Sequence, residues 1–329
     1  MMKLAGSLAP LQRLTRLFNM ETNLSSLKTA NRSRREQTKL ERKDVFDKHQ
    51  GVAWRPDLIP IKLVDMSFSY GEEILLHRIN ATQAQGSVVA IVGEHGSGKT
   101  TLMKLLGHTL FPDQGMVFIP SHLRPLFISQ EIMILKFSAW ENVTFGNPDS
   151  SPARVKAILN ALDMQNTLKV IRADLKRMGR EAELEDGAGE DDEDHELNRE
   201  FVEEIDEGWH NMLPFGEKAK IHLVRGLVMN PEVLVAQRPV CHYDDDTSKQ
   251  VMDVLMEYVA NRGYKLPESS KHRRRPRTLF FSPSSNIELN RDDMETCIIW
   301  EMDRSTGGLR TTTRDKLSQT DIQRISTYN

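Results

Sequence analysis

The feature that most constrains this chain is the run Gly93-Glu94-His95-Gly96-Ser97-Gly98-Lys99-Thr100-Thr101. It fits the phosphate-loop pattern G-x-x-x-x-G-K-[ST] with no mismatch. Val88-Val89-Ala90-Ile91-Val92, just upstream, is apolar and β-branched, as a buried strand requires. Leu102-Met103-Lys104-Leu105-Leu106, just downstream, consists of helix formers. Strand, glycine loop and helix in that order aim backbone N–H groups and a helix N-terminus at a phosphate chain. Gly93, Gly96 and Gly98 let the backbone turn tightly and approach an anion without an intervening Cβ. In such a loop Lys99 reaches the β- and γ-phosphates, and Thr100 puts its hydroxyl on Mg²⁺.

A chain of 329 residues has room for one large domain or two smaller ones. With 39% hydrophobic and 28% charged residues it can bury a core but must leave some segments solvated. A formal net charge of −3 argues against a general nucleic-acid-binding surface. Cys241 and Cys297 are too few for a disulfide framework and suit a reducing compartment. No apolar run reaches the roughly eighteen residues of a membrane span, so the chain is not expected to cross a bilayer by itself.

Leu4, Leu8, Leu11, Leu14 and Phe18 fall at helical spacing with Lys3, Arg13 and Arg16 and no acid. This pattern suits a mitochondrial-type transit peptide or, because serine is sparse, better an amphipathic helix packed on a partner. Glu21 to Gln50 is polar and mixed in charge; its cluster of Arg32, Arg34 and Arg35 reads as a solvated helix face rather than a nuclear-localisation signal. Pro56 and Pro60 mark a boundary. Ile61–Tyr70 and Ile74–Ile79 read as strands joined through Gly71, and Met116–Ile119 and Pro125–Ile128 as two more. Ser151-Pro152 opens a helix. Glu181 to Glu207 is strongly acidic and is expected as an exposed, largely disordered insert; a metal-binding or basic-partner role is the rival reading. Ala219–Leu227 and Thr247–Val259 carry helical periodicity, Val233–Ala236, Thr278–Phe281 and Cys297–Trp300 read as strands, and Lys265 to Arg277 is a basic loop. Alternating strands and helices predict an α/β fold with a largely parallel sheet.

Several segments beyond the phosphate loop line up in one order, and over residues 58–304 the chain resembles the nucleotide-binding domain of an ATP-binding cassette (ABC) transporter, exporter-like. Phe68-Ser69-Tyr70-Gly71 sits where that family carries its adenine-stacking aromatic. Ile128-Ser129-Gln130-Glu131 resembles the glutamine loop, with Trp140–Gly146 after it. Leu213-Pro214-Phe215-Gly216-Glu217 falls at the LSGGQ signature. It runs without a gap to Val233-Leu234-Val235-Ala236-Gln237-Arg238-Pro239, matching the signature-to-Walker-B span. The resemblance implies a phosphate-loop NTPase core plus a helical subdomain, about 148–228, that carries the acidic insert 181–207. It leaves 1–57 as an N-terminal helical extension or linker and 305–329 as a C-terminal tail. It also implies ATP and Mg²⁺ as ligands, held by Tyr70, Gly93, Glu94, His95, Gly96, Ser97, Gly98, Lys99, Thr100, Thr101 and Gln130, with Thr100 and Gln130 toward the metal.

The catalytic positions depart from the family. Gln237 stands at the Walker-B aspartate, Arg238 at the catalytic glutamate and Pro283 at the switch histidine, while Asp244 remains at the D-loop aspartate. Gln237 is neutral, and a guanidinium cannot accept a proton. Arg238 either clamps ATP electrostatically or faces solvent or a carboxylate such as Asp244. The chain is therefore expected to bind ATP and to hydrolyse it weakly. It would work as an ABC transporter subunit beside a second, different nucleotide-binding domain, with transmembrane helices from another chain or an upstream region, at the cytoplasmic face of a membrane. The alternative is a soluble pseudo-ATPase acting as a regulatory or scaffolding module. No nucleic-acid partner is expected.

Overall fold

The structure is a computed structural model that describes residues 14, 15, 18, 24–51, 53–180, 183, 208–284 and 288–316. The acidic run 181–207, Glu183 apart, lies outside the described residues, as does most of the 1–20 segment.

Among the described residues, nine strands form two sheets. Strands β1 (Ile61–Tyr70), β2 (Glu73–Gln83) and β4 (Gln114–Phe118) make a three-stranded antiparallel sheet in the order β2-β1-β4. The connection between β1 and β2 is Gly71-Glu72, too short for anything but a hairpin, and Gly71 takes the positive φ of 63° that this turn needs. The second sheet has the order β5-β6-β7-β3-β8-β9, from β3 (Val88–Gly93), β5 (Pro125–Ile128), β6 (Val233–Gln237), β7 (Thr278–Ser282), β8 (Ile298–Met302) and β9 (Leu309–Thr313). Every pairing in it is parallel except β8 with β9. The expected α/β fold with a mostly parallel sheet is present, with the antiparallel sheet added. β9 falls in the 305–329 stretch expected as a tail and extends the core sheet.

Side-chain alternation explains why the central strands read as continuous apolar runs. Val89 and Ile91 of β3, Val233 and Val235 of β6 and Phe280 of β7 point to one face. There they meet Leu102, Met103, Leu105 and Leu106 of α2 (Lys99–Leu106), together with Ile61, Leu63 and Met66 of the antiparallel sheet. Ala90, Val92, Leu234, Ala236, Leu279 and Phe281 point to the other face. It is covered by α6 (Phe215–Met229), α7 (Asp245–Ala260) and an arm of α3 (Ala139–Thr144), α4 (Pro152–Ala161) and α5 (Gln165–Arg177). A strand buried on both faces cannot alternate apolar with polar. At about 25 cal/mol per Å² of apolar area, these two layers are the main favourable term for the fold.

Helix starts follow local chemistry. α4 has Ser151 at its N-cap and Pro152 in its first turn, as the cap-plus-proline signature predicts. Ser138 and Glu141 form a reciprocal capping box on α3.

The extension differs from expectation at one residue. α1 (Leu24–Lys48) is a polar helix, but Arg34 is buried rather than solvated. Its Nε donates to Ile119 O at 2.8 Å, and its Nη2 to Pro120 O at 3.4 Å and Leu123 O at 3.3 Å. A cation in a polar helix reads as solvent-facing because the carbonyls that receive it lie some 85 residues away.

Candidate functional site

The parallel strands place the loop. β3 ends at Gly93 and α2 starts at Lys99, so residues 93–98 form the turn at the carboxyl edge of the sheet. Two glycines are required by space and conformation. Gly93 has φ 146°, and a Cβ there would stand 2.5 Å from Met302 O of the neighbouring β8. Gly98 has φ 91°, and a Cβ there would stand 2.7 Å from Leu76 Cδ2. Ser97 is buried, and its Oγ has no acceptor or donor among the described residues. Glu94, His95 and Gly96 are exposed at the loop's crest.

The loop opens into a cleft of about 370 Å³ lined by His95, Gly96, Gly98, Lys99, Thr100 and Thr101. From across the sheet it is also lined by Gln130, Gln237 and Arg238. The structure thus brings together residues spread over more than a hundred positions. Lys99 Nζ donates to Gly93 O at 2.5 Å and Glu94 O at 2.9 Å. Gln237 at the end of β6 donates its Nε2 to Thr100 Oγ1 at 3.1 Å. His242 Nε2 donates to Gln130 O at 2.7 Å and fixes that loop against the turn after β6. Arg238 has φ 44°, and its N–H donates to Ser282 Oγ at 3.0 Å.

Electrostatics define what the cleft accepts. Burial pushes the Lys99 ammonium below its usual value, and the Arg238 charge pushes it the same way. Two cations therefore share one partly desolvated space, and among the described residues no carboxylate lines it. Arg238 makes no ion pair among the described residues, with Asp244 or otherwise, and its buried Nε has no acceptor. Asp244 is occupied elsewhere: it caps α7 by accepting from Thr247 N at 2.8 Å. Such a cleft suits a polyphosphate anion. For Mg²⁺ the donors are fewer. Thr100 and Gln130 offer neutral oxygens, where magnesium sites ordinarily add a carboxylate.

Tyr70 does not itself line the cleft; it is 55% exposed, edge-on to Phe68 at 4.9 Å, with its hydroxyl 3.5 Å from Oγ1 of Thr101, which does. Pro283 is buried just beyond β7 and does not line the cleft. Leu75 and Ser282 line it and were not foreseen. Ser282 closes a strand that the sequence did show, whereas Leu75 carries no polar signal at all.

The signature-like stretch has its own logic. Leu213 is buried and Phe215 is exposed, packing edge-on to His242 at 5.6 Å. A Cβ on Gly216 would meet nothing within 4 Å, so this point is open. Glu217 is buried and caps the start of α5. It accepts from Asn166 N at 3.2 Å and Nδ2 at 2.7 Å, and from Thr167 N at 2.7 Å and Oγ1 at 2.6 Å. Glu217 therefore joins the α5 N-terminus to the signature helix, a role its position in the sequence does not reveal.

Known proteins resemble this one in the same region. The family model described as ABC transporter matches residues 76–240. The Lipoprotein-releasing system ATP-binding protein LolD of Rickettsia prowazekii is 26% identical over 210 residues, 60% of this chain and 80% of its own length. The Alpha-hemolysin translocation ATP-binding protein HlyB of Escherichia coli O157:H7 is 25% identical over 222 residues, 62% of this chain but 27% of its own length. A bacterial Atm1-family ABC exporter with ATP bound superposes with a TM-score of 0.52 at 20% identity, over 81% of this chain and 41% of the exporter, a likeness of fold. No helix among the described residues is long and apolar enough to cross a membrane. With its phosphate loop and helical arm inside that match, the chain belongs to the ABC transporter family, as an ATP-binding component.

Proposed function

We propose that this chain binds ATP in the 93–101 cleft and couples that binding to transport, with little hydrolysis of its own. The carrying observation is a cleft that pairs Lys99 with Arg238 and has no lining carboxylate among the described residues. The loop amides, Lys99 and Arg238 hold the phosphates, and Tyr70 stacks on the base. Thr100, through its hydroxyl, and Gln130, through its amide oxygen, would hold Mg²⁺, which would supply charge neutralisation for the phosphates. Hydrolysis needs a base for the attacking water, and Gln237, Arg238 and Pro283 provide none. Loss of a general base alone costs about 10²–10⁴ in rate. Contacts made equally in ground and transition states tighten binding without raising turnover.

The transport reading rests on the family and on relatives named for lipoprotein release and hemolysin translocation. A second, different nucleotide-binding domain would supply the hydrolytic groups that this chain lacks. Membrane helices would come from another chain or from an upstream region, placing the chain on the cytoplasmic face. An exposed apolar patch supports a partner: Phe137 stacks on Phe145 at 6.1 Å, and both rings are about half exposed. The absence of a lining carboxylate also favours a pseudo-ATPase that regulates or scaffolds; recovery of a membrane protein with the tagged chain separates the two readings.

The test is ATP binding and steady-state phosphate release by the purified chain against Lys99→Ala. Lys99→Ala removes a charge-assisted contact worth about 1.5–3 kcal/mol, so ATP affinity falls at least about tenfold. Turnover stays far below the roughly one per second of an ordinary enzyme. Lys99-dependent turnover near that rate would overturn the proposal and point to Glu131 or Asp244 as the base.

A further inference from the structure

The carboxyl edge of the parallel sheet carries the nucleotide cleft; the amino edge carries an arginine cluster that nucleotide binding leaves unused. Arg124 precedes β5, Glu232 precedes β6 and Arg277 precedes β7, so three parallel strands deliver them to one edge. Arg154 of α4 joins them, as do Arg262, Arg274 and Arg275 from the basic stretch after α7. Among the described residues, Glu232 pairs with Arg124 and Arg277 of these six arginines, and Asp57 lies within the field of Arg262, Arg275 and Arg277.

Five of the six have acceptors. Arg124 donates to Glu232 Oε2 and Asn230 O, both at 3.0 Å. Arg154 donates to Leu227 O at 2.7 Å, Val228 O at 3.0 Å and Tyr264 O at 3.2 Å. Arg277 donates to Asn230 Oδ1 at 3.0 Å and Arg275 O at 2.8 Å. Arg262 donates to Arg274 O at 2.8 Å, and Arg275 to His122 O at 3.4 Å. Arg274 is different: its Nε, Nη1 and Nη2 are all buried, and none has an acceptor among the described residues.

Burying an unpaired charge is among the costliest arrangements a fold can hold. An orphaned donor set in a native structure points to a bound ion or water. Water would take hydrogen bonds but leave the excess charge in place. That excess is felt by the neighbours: burial first, and the Arg274 charge second, press the Arg154 guanidinium down to about 10. A tetrahedral oxyanion answers both demands, offering several oxygens to the planar guanidinium fork and negative charge to the cluster. Lys265, Arg273 and Arg275 of the same basic stretch are exposed and add to the positive field that attracts anions.

We propose that the amino-edge cluster, centred on Arg274 with Arg154 and Arg277 behind it, binds a phosphate-class oxyanion at a site separate from the phosphate loop. The oxyanion is either free inorganic phosphate or the phosphate of a monoester. The proposal stands independently of ATP binding, because its test is run on full-length Lys99→Ala protein, in which the loop site is weakened.

Thermal unfolding is followed in inorganic phosphate, in O-phosphoserine and in chloride at matched ionic strength, with equilibrium dialysis of labelled phosphate alongside. At phosphate about ten times above its dissociation constant, Lys99→Ala protein should melt about 3 °C higher than in chloride. Adding Arg274→Met should abolish that rise and reduce the bound phosphate by one equivalent. In chloride the Arg274→Met protein should melt no lower than its parent, since it sheds an unpaired buried charge. A shift with O-phosphoserine as well assigns the site to monoesters, and a shift with inorganic phosphate alone assigns it to the free ion. Three results would overturn the proposal: no phosphate-dependent shift, a shift that survives Arg274→Met, or a lower melting temperature for Arg274→Met in chloride.

Discussion

Arg238→Ala is the most informative single change, because it tests whether the residue at the base position works on the nucleotide. Arg238 lines the cleft with Lys99, and its Nε is buried without an acceptor. Its main chain is held by the bond to Ser282 Oγ and has a φ of 44°, which alanine also tolerates only under strain. The substitution therefore leaves the backbone penalty in place and removes the guanidinium. A charge-assisted hydrogen bond contributes about 1.5–3 kcal/mol. Arg238 is only partly buried, so the lower half of that range applies, and ATP should bind about 10–30-fold more weakly. If the guanidinium meets the terminal phosphate, ADP should lose less than ATP. Without nucleotide the variant should melt slightly higher, since the repulsion on Lys99 is relieved. Calorimetric titration with ATP and ADP, paired with thermal unfolding of the empty protein, measures all three. An unchanged ATP dissociation constant would mean that Arg238 serves only solvent, and equal losses for ATP and ADP would place it away from the γ-phosphate.

Other expectations are structural. Glu217→Ala orphans the donors at the start of α5 and should cost about 2–3 kcal/mol in chemical denaturation, with Glu217→Gln milder; no change would show that the cap is dispensable. Arg34→Met should detach α1 from the Ile119–Leu123 carbonyls and lower the melting temperature by about 5 °C, with protease cleavage appearing first in residues 24–48. Burial holds His222 neutral, its value pushed down to about 4, and that of His108 to about 3. The unfolded chain therefore binds protons that the folded chain refuses between about pH 6.5 and 4, so stability falls as pH drops through that window, by up to about 3 kcal/mol per histidine. Melting temperature against pH reads this, and His222→Gln should flatten the acid side.

What the sequence determined by itself is whatever depends on neighbours along the chain. The glycine spacing of 93–98 between a strand-forming and a helix-forming run specifies the phosphate loop, because turn, strand and helix are each set by a few adjacent residues. The apolar runs at 88–92, 233–236 and 278–281 announce strands buried on both faces, hence a parallel sheet covered by helices. The order of Tyr70, Gln130, the 213–217 stretch and Gln237 identifies the family. The tertiary structure alone decided which polar groups meet. Gln237 reaches Thr100 across 137 positions, and Glu217 caps a helix about 50 residues upstream. Arg34 and Arg32 are near neighbours of the same type, yet one is buried on main-chain carbonyls and the other pairs with Glu36 on the surface. In the basic stretch after α7, Arg273 stays exposed while the nitrogens of Arg274 are buried. Periodicity and propensity describe the chain's own backbone and have no information on which surface will close over a given side chain. That depends on how the sheets and helices stack, and for a charged group burial and partner, rather than residue type, decide whether it is a solvated surface group, a structural clamp or a binding site.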